Sequence, residues 1–177
     1  MKLALKVLKY LVGLIVVLLA AGFLLPAEYS AQRSVTINAP VDKVFPLVAN
    51  QKEWKRWSVW NQRDPNMTMT YAGPEAAVGS KWTWTSKSEG NGGMEIVKAD
   101  FDKTVAYVLT IEGIDNPFNG RIDFAPAGDK VKVTWTGEGN VGMSPIGRWF
   151  AFFMDKMLGP DLEGSLKNLK ELAERKG

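Results

Sequence analysis

Apolar and polar positions change their period several times along the chain. Tyr10 to Ala27 carries neither a charge nor a polar stripe, which predicts a helix apolar on every side. At about 1.5 Å per residue it would reach about 27 Å, close to the thickness of a bilayer's hydrocarbon layer. From Tyr29 to Asn38 the pattern alternates, Val35 and Ile37 against Ser34, Thr36 and Asn38, and predicts a strand. Ala39-Pro40 breaks it, with Pro40 suited to the first position of a helix. Val41, Val44, Phe45 and Val48 then recur at helical spacing, and Pro46 is expected to limit or distort that helix. Trp54, Trp57 and Trp60 follow at intervals of three, on a second short helix or turn.

Between Met67 and Glu138 six short alternating runs are separated by turn residues. They are Met67–Tyr71, Ser80–Ser86, Met94–Asp100, Thr104–Glu112, Asn119–Phe124 and Lys130–Glu138, and hairpin connections join such runs into an antiparallel sheet. Ile146–Leu158 is apolar around most of its circumference but too short to span a bilayer. It reads as a helix buried in the core, or else as a lid over a cavity or a membrane-touching surface. A last helix is expected to start at Pro160, with Leu162, Leu166, Leu169 and Leu172 on one stripe. Asp161 and Glu163 suit its positive end, and Glu163/Lys167 and Lys170/Glu174 are i,i+4 pairs on its wet side. Helices at the ends of an antiparallel run indicate an α+β domain in which the terminal helix lies across the sheet. The expected organisation is a basic tail over 1–9, a transmembrane anchor over 10–27 and one domain over 28–177.

Charge sharpens the reading of the N-terminus. The chain has 22 Lys and Arg against 19 Asp and Glu. Lys2, Lys6 and Lys9 account for the whole excess, so the remainder is formally neutral and offers no phosphate-tracking surface for nucleic acid. Cations before the apolar run favour a cytoplasmic N-terminus, with the domain on the periplasmic or extracellular side of the membrane. The rival is a cleaved signal peptide. A good small-x-small cleavage site for it is hard to find, since Leu25 stands two before Ala27 and Tyr29 two before Ala31.

Composition narrows the chemistry. With no His and no Cys there is no Ser-His or Cys-His nucleophile pair, no Cys/His zinc site and no disulfide. Acid-base work would fall to Asp, Glu, Lys or Tyr. Nothing implies a cofactor or a metal. Most carboxylates oppose the apolar positions of their strands, as Asp123 opposes Ile122 and Phe124, and Arg121 is placed to pair with Asp123. Glu95 is ambiguous, flanked by Met94, Ile96 and Val97 on both parities, so Glu95 and Tyr107 are the catalytic candidates. The glycines at 90–93 and 137–142 lack a phosphate-loop ending and read as turns.

A shared parity builds one aromatic sheet face. Trp82 and Trp84 lie on one side of their strand, as do Val105, Tyr107, Leu109 and Ile111, Ile122 and Phe124, and Val131, Val133 and Trp135. Such a face is either an ordinary core or the wall of an apolar pocket. Ser165 and Gly164 bring small residues to the sheet-facing side of the last helix, leaving a void or allowing a close approach. The candidate ligand contacts are Trp57, Trp82, Trp84, Tyr107, Leu109, Phe124, Trp135, Phe153, Met154 and Ser165.

Several segments, in order, resemble the START-like or SRPBCC superfamily, in its polyketide cyclase/dehydrase and lipid-transport branch. They are VTINAPVDKVFPLV at 35–48, the pair Trp54 and Trp57, VGSKWTW at 78–84, KVKVTWTGEG at 130–139 and GPDLEGSLKNLKELAE at 159–174. The resemblance implies a helix-grip, a curved antiparallel sheet wrapped around a long C-terminal helix, with a cavity between them for an apolar ligand. It transfers no catalytic residue, because the fold hosts enzymes and carriers alike.

Three functions stand open. The first is a membrane-anchored binding module for an apolar small molecule or lipid. The second is a cyclase, dehydratase or hydrolase on the same scaffold. The third is an envelope protein that binds a partner and has its pocket closed by side chains. The sequence sets no oligomeric state.

Overall fold

A computed structural model describes residues 2–175. Its elements are α1 (Lys2–Gly22), β1 (Glu28–Ile37), α2 (Val41–Ala49), a 3-10 turn (Gln51–Arg56), α3 (Val59–Arg63), β2 (Thr68–Ala72), β3 (Lys81–Thr85), β4 (Gly92–Asp100), β5 (Thr104–Ile111), β6 (Phe118–Ala127), β7 (Lys130–Asn140) and α4 (Pro145–Glu174). The strands form one seven-stranded sheet in the order β1-β7-β6-β5-β4-β3-β2, antiparallel at every step. β2 to β7 form a meander and β1 adds beside β7, so β1 and β2, consecutive in the chain, are the two edge strands. α4 crosses the inner face. This is the α+β helix-grip that the pattern and the resemblance imply.

Register explains which side chains meet. Val105 lies opposite Ile122, Tyr107 opposite Gly120, Ile122 opposite Trp135 and Phe124 opposite Val133, all on the inner face. With Leu162, Leu166 and Leu169 of α4 they form a continuous core. β4 carries a bulge between Ile96 and Lys98. It takes Val97 out of the alternation and leaves it exposed, which settles the mixed parity around Glu95. Glu95 points outward and pairs with Lys81 at 2.9 Å.

Three expectations about the helices need correction. Pro160 does not start the last helix. α4 is continuous over 30 residues, opened by Ser144, whose Oγ accepts from the Gly147 N–H at 3.0 Å, with Pro145 in the first turn. Pro160 costs one interior hydrogen bond, and the leucine stripe that follows it packs into the core and holds the helix through that point. Asp161 therefore serves an ion pair with Arg63, at 2.6 Å, and not a helix start. Pro46 lies inside α2, and Pro40 caps it from outside. The segment Ile146–Leu158 is not buried in the core, for Ile146, Phe150, Phe152, Phe153 and Met157 are all exposed.

The glycine turns also need partial correction. Gly90 and Gly142 have positive φ and do turn the chain, but Gly92 and Gly93 lie in β4 and Gly137 and Gly139 in β7. Gly120 and Gly139 are small because rings cover their backbone: a Cβ at Gly120 would overlap the Tyr107 ring, and one at Gly139 the Tyr29 ring.

α1 is the only described helix long and apolar enough to cross a membrane, with mean hydropathy 2.3 and no residue of its apolar window buried; only Gly22 at its end is covered, by Pro145. A signal sequence has the same character. The helix ends at Gly22, short of the apolar run, and Phe23, Leu24 and Leu25 continue in a turn stitched back to Ala20, Ala21 and Gly22.

Candidate functional site

The inner face of the sheet divides into a filled end and a hollow end. At the filled end the short helices deliver tryptophans into the sheet. Trp54 and Trp57 pack at a 46° tilt with centroids 4.7 Å apart, and both meet Trp135 at 5.5 Å. The 3-10 turn places both indoles against the end of α2, where Trp54 Nε1 donates to Val48 O at 2.7 Å and Trp57 Nε1 to Leu47 O at 2.9 Å. Carbonyls at a helix C-terminus lack intrahelical partners, so each buried indole finds an acceptor there. Trp135 Nε1 donates to Tyr107 Oη at 2.8 Å.

Towards the other end, sheet and helix part. A cavity of about 270 Å³, partly open to the outside, lies between β3 to β7 and the stretch of α4 from Met154 to Leu162. That volume is just below the roughly 300 Å³ at which ligand pockets usually begin. Trp82, Trp84, Met94, Tyr107, Leu109 and Phe118 form the sheet wall, Met154, Leu158 and Leu162 the helix wall, and Trp60 and Met67 the sides. Gly137 keeps the wall thin on β7, where Leu158 occupies the space a side chain would need.

Polar groups are few and gather at the ends. Ser58, Asn61 and Glu89 line one part, Asn119 and Glu138 another. Glu89 is held by Arg63 at 3.3 Å, and Arg63 also grips Asp161, so its carboxylate enters the cavity wall already paired. Tyr107 is fully buried, and burial holds its phenol protonated well above the usual tyrosine range despite the Trp135 N–H. It is suited to donate a hydrogen bond and not to act as a base. Tyr29 is likewise pushed up to about 12 by burial. Tyr29 Oη and Trp82 Nε1, both on lining residues, are buried without a hydrogen-bond partner.

Of the ten residues singled out from the sequence, the structure brings Trp82, Trp84, Tyr107, Leu109 and Met154 to the cavity. Trp57 and Trp135 belong to the filled aromatic cluster. Phe124 packs on Phe45 beyond it, at 5.3 Å. Phe153 faces outward and stacks on Trp149. Ser165 leaves no void: its Oγ accepts from the Val59 N–H at 3.1 Å, and α3 approaches α4 closely there. Glu95 lies on the outer face, and Tyr107 alone of the two catalytic candidates reaches the cavity. Strand parity places a residue on a face but not along its length, so it could not separate the filled end from the hollow one. Trp60, Asn61, Met67 and Glu89 were missed because they come from loops and short helices, where parity has no meaning. The spacing of Trp60, three after Trp57, was the one available signal.

An inward-curving antiparallel sheet gripping a C-terminal helix, with an apolar cavity between them, defines a fold of the helix-grip class. The family model for polyketide cyclase / dehydrase and lipid transport matches residues 29–174, and the chain belongs to that family. No curated protein matches it in sequence. Among solved structures it is similar to protein CV1439 from Chromobacterium violaceum, with TM-score 0.61 and 16% identity over 83% of this chain and 98% of that one. It is similar to truncated norcoclaurine synthase from Thalictrum flavum, with TM-score 0.62 and 12% identity over 85% and 96%. A further structure of that synthase, in complex with dopamine and hydroxybenzaldehyde, matches with TM-score 0.60 and 14% identity over 89% and 93%. Identities this low speak for the fold alone.

Proposed function

We propose that the protein is a membrane-tethered binding module for a mainly apolar small molecule or lipid with one polar end. α1 serves as an uncleaved anchor with its N-terminus in the cytoplasm, and the domain from residue 28 onward stands on the far side. The observation that carries the reading is the 270 Å³ cavity between sheet and α4, walled by Trp82, Trp84, Leu109, Met154 and Leu158. Burial of apolar area at about 25 cal/mol per Å² is what holds a ligand on such walls. The polar end is supported by Ser58, Asn61 and Glu89 at one part of the wall. It is supported also by Tyr29 Oη and Trp82 Nε1, since a buried unpaired group costs about 1–3 kcal/mol and a ligand oxygen beside either would offset that.

Native mass spectrometry of the full chain released from detergent tests the reading, together with uptake of a fluorescent fatty acid. Bound lipid-sized adducts and saturable uptake are expected, with Leu109→Trp weakening uptake by about tenfold or more, some 1.4 kcal/mol. A chain that takes up no apolar probe, with Leu109→Trp indistinguishable from the parent, would overturn it.

A further inference from the structure

α4 has two apolar faces in its first half. Ala151, Met154 and Leu158 turn inward. Ile146, Phe150, Phe153 and Met157 recur at i, i+4, i+7 and i+11, which puts them on one narrow stripe about 100° around the helix from the inward residues. They are 58%, 53%, 42% and 55% exposed. Soluble proteins rarely leave a contiguous patch of this kind uncovered. The second half of the same helix shows the ordinary pattern, with leucines buried and Lys167, Glu171 and Glu163 in water.

What covers the stripe is indicated by its neighbour. α1 lies beside it, fastened by side chains of this same stretch. Trp149 Nε1 donates to Leu18 O at 2.9 Å, and Arg148 Nη1 donates to Phe23 O at 2.8 Å and Leu25 O at 3.1 Å. Leu18 is four residues, about 6 Å, inside the end of α1 at Gly22. That depth falls within the roughly 5–10 Å to which interfacial helices sink their apolar face. Trp is also the side chain that gathers at the membrane surface. The one acid in the segment, Asp155, points away from the stripe and is held by Arg33 at 2.8 Å, so no free carboxylate would meet lipid.

We propose that the outward stripe Ile146, Phe150, Phe153 and Met157 rests in the lipid leaflet beside α1, which sets the domain's orientation and lays the cavity wall against the bilayer. The proposal rests on α1 being an anchor. Met154 and Leu158 line the cavity from the same turns, so no more than the width of the helix, about 10 Å, separates the cavity from lipid. A ligand drawn from the leaflet would need only a small displacement of these turns to enter, and no passage through water.

The chain has no cysteine, so single introduced thiols report cleanly. Ile15→Cys, Phe150→Cys, Phe153→Cys, Val97→Cys and Phe101→Cys would each be made in the full chain. Each would carry an environment-sensitive NBD label in phosphatidylcholine/phosphatidylglycerol nanodiscs loaded at one copy per disc. Labels at 150 and 153 are expected to shift to the blue, to be quenched by doxyl lipids as the Ile15 label is, and to escape iodide. Labels at 97 and 101 should behave in the opposite way. If 15 reports lipid while 150 and 153 report water, the stripe proposal fails and the anchor stands. If 15 also reports water, the anchor fails and the proposal with it. Labels at 150 and 153 shielded from both quenchers would mean that protein covers the stripe, and would overturn the proposal in favour of a second copy or a partner. None of these outcomes depends on a ligand being present. Phe150→Lys/Phe153→Lys adds a readout of passage, with slower lipid transfer between vesicles expected at unchanged probe uptake in detergent. Equal transfer rates would overturn lipid-side loading.

Discussion

The two ends of the sheet's inner face are built from the same residue types and reach opposite results. At the filled end, rings arrive from three directions, and the indoles of Trp54, Trp57 and Trp135 each find a hydrogen-bond acceptor. The second half of α4 presses Leu166 and Leu169 against them. At the hollow end α3 brings only Trp60 and Asn61 to the cavity, strands β6 and β7 carry Gly120 and Gly137, and the first half of α4 spends its largest rings on its outer side. Aromatic content alone therefore says little about whether a sheet face is core or pocket. What decides is whether a second layer supplies enough rings to meet it, and here α2 and the 3-10 turn close one end, while at the other Trp54 and Trp60 only line the cavity.

The sharpest way to break this contrast is truncation. Trp54→Ala removes a ring that touches Trp57, Trp82, Tyr107 and Trp135. It is expected to cost about 3–5 kcal/mol, read by urea unfolding of the detergent-solubilised chain. Leu109→Ala, on the cavity wall, should cost less than about 2 kcal/mol, since part of its surface already lacks a packed neighbour. Equal losses at the two positions would mean that the ends are packed alike.

Overpacking tests the same boundary from the other side. Gly120→Ala puts a methyl into the Tyr107 ring and is expected to cost about 1–3 kcal/mol while displacing the phenol from Trp135 Nε1. Leu158→Phe adds volume towards the cavity and should change stability by less than about 1.5 kcal/mol. Fatty-acid uptake should fall with Leu158→Phe. Unfolding midpoints and uptake measured on both variants check the pair, and a large stability loss for Leu158→Phe would mean that the space is already taken.

Much of the frame was legible because it depends on local period. All seven strands lie within a few residues of their expected bounds, and the parity of Tyr107, Ile122, Val133 and Trp135 named their face correctly. Arg121 does meet Asp123, at 2.8 Å. The errors sit where a long-range contact outweighs a local signal. Pro160 is a sound stop signal, overridden because the leucines beyond it are buried with the same sheet as Leu158. The strand glycines Gly137 and Gly139 look like turn residues until Leu158 and Tyr29, distant in sequence, are seen lying on them. Half of the ten residues named for the site do reach the cavity, for the same reason. Trp82, Trp84 and Tyr107 come from strands, while Asn61 and Glu89 come from connections whose path no period encodes.

The smallest expected effect concerns what holds the first half of α4 in place over the hollow end. Arg33 of β1 crosses beneath Gly159, where a Cβ would overlap its guanidinium, and clasps the Asp155 carboxylate at 2.8 and 3.3 Å. The hydrogen bonds from Arg33 hold the Asp155 carboxyl below its usual range. A carboxyl depressed on folding contributes stability above its unfolded pKa, near about 4, and loses it as pH falls through the lower folded value. The pair is exposed to solvent, so global unfolding should hardly register Asp155→Asn. Local opening should. Protection of amides 145–158 from exchange, taken relative to their intrinsic rates at each pH, is expected to fall in Asp155→Asn at pH 7, and in the parent only as pH drops below about 4. Protection across Leu166–Ala173 should stay unchanged in both. If the two halves of α4 instead lose protection together, the helix opens as one rod, and the cavity wall has no freedom separate from the filled end.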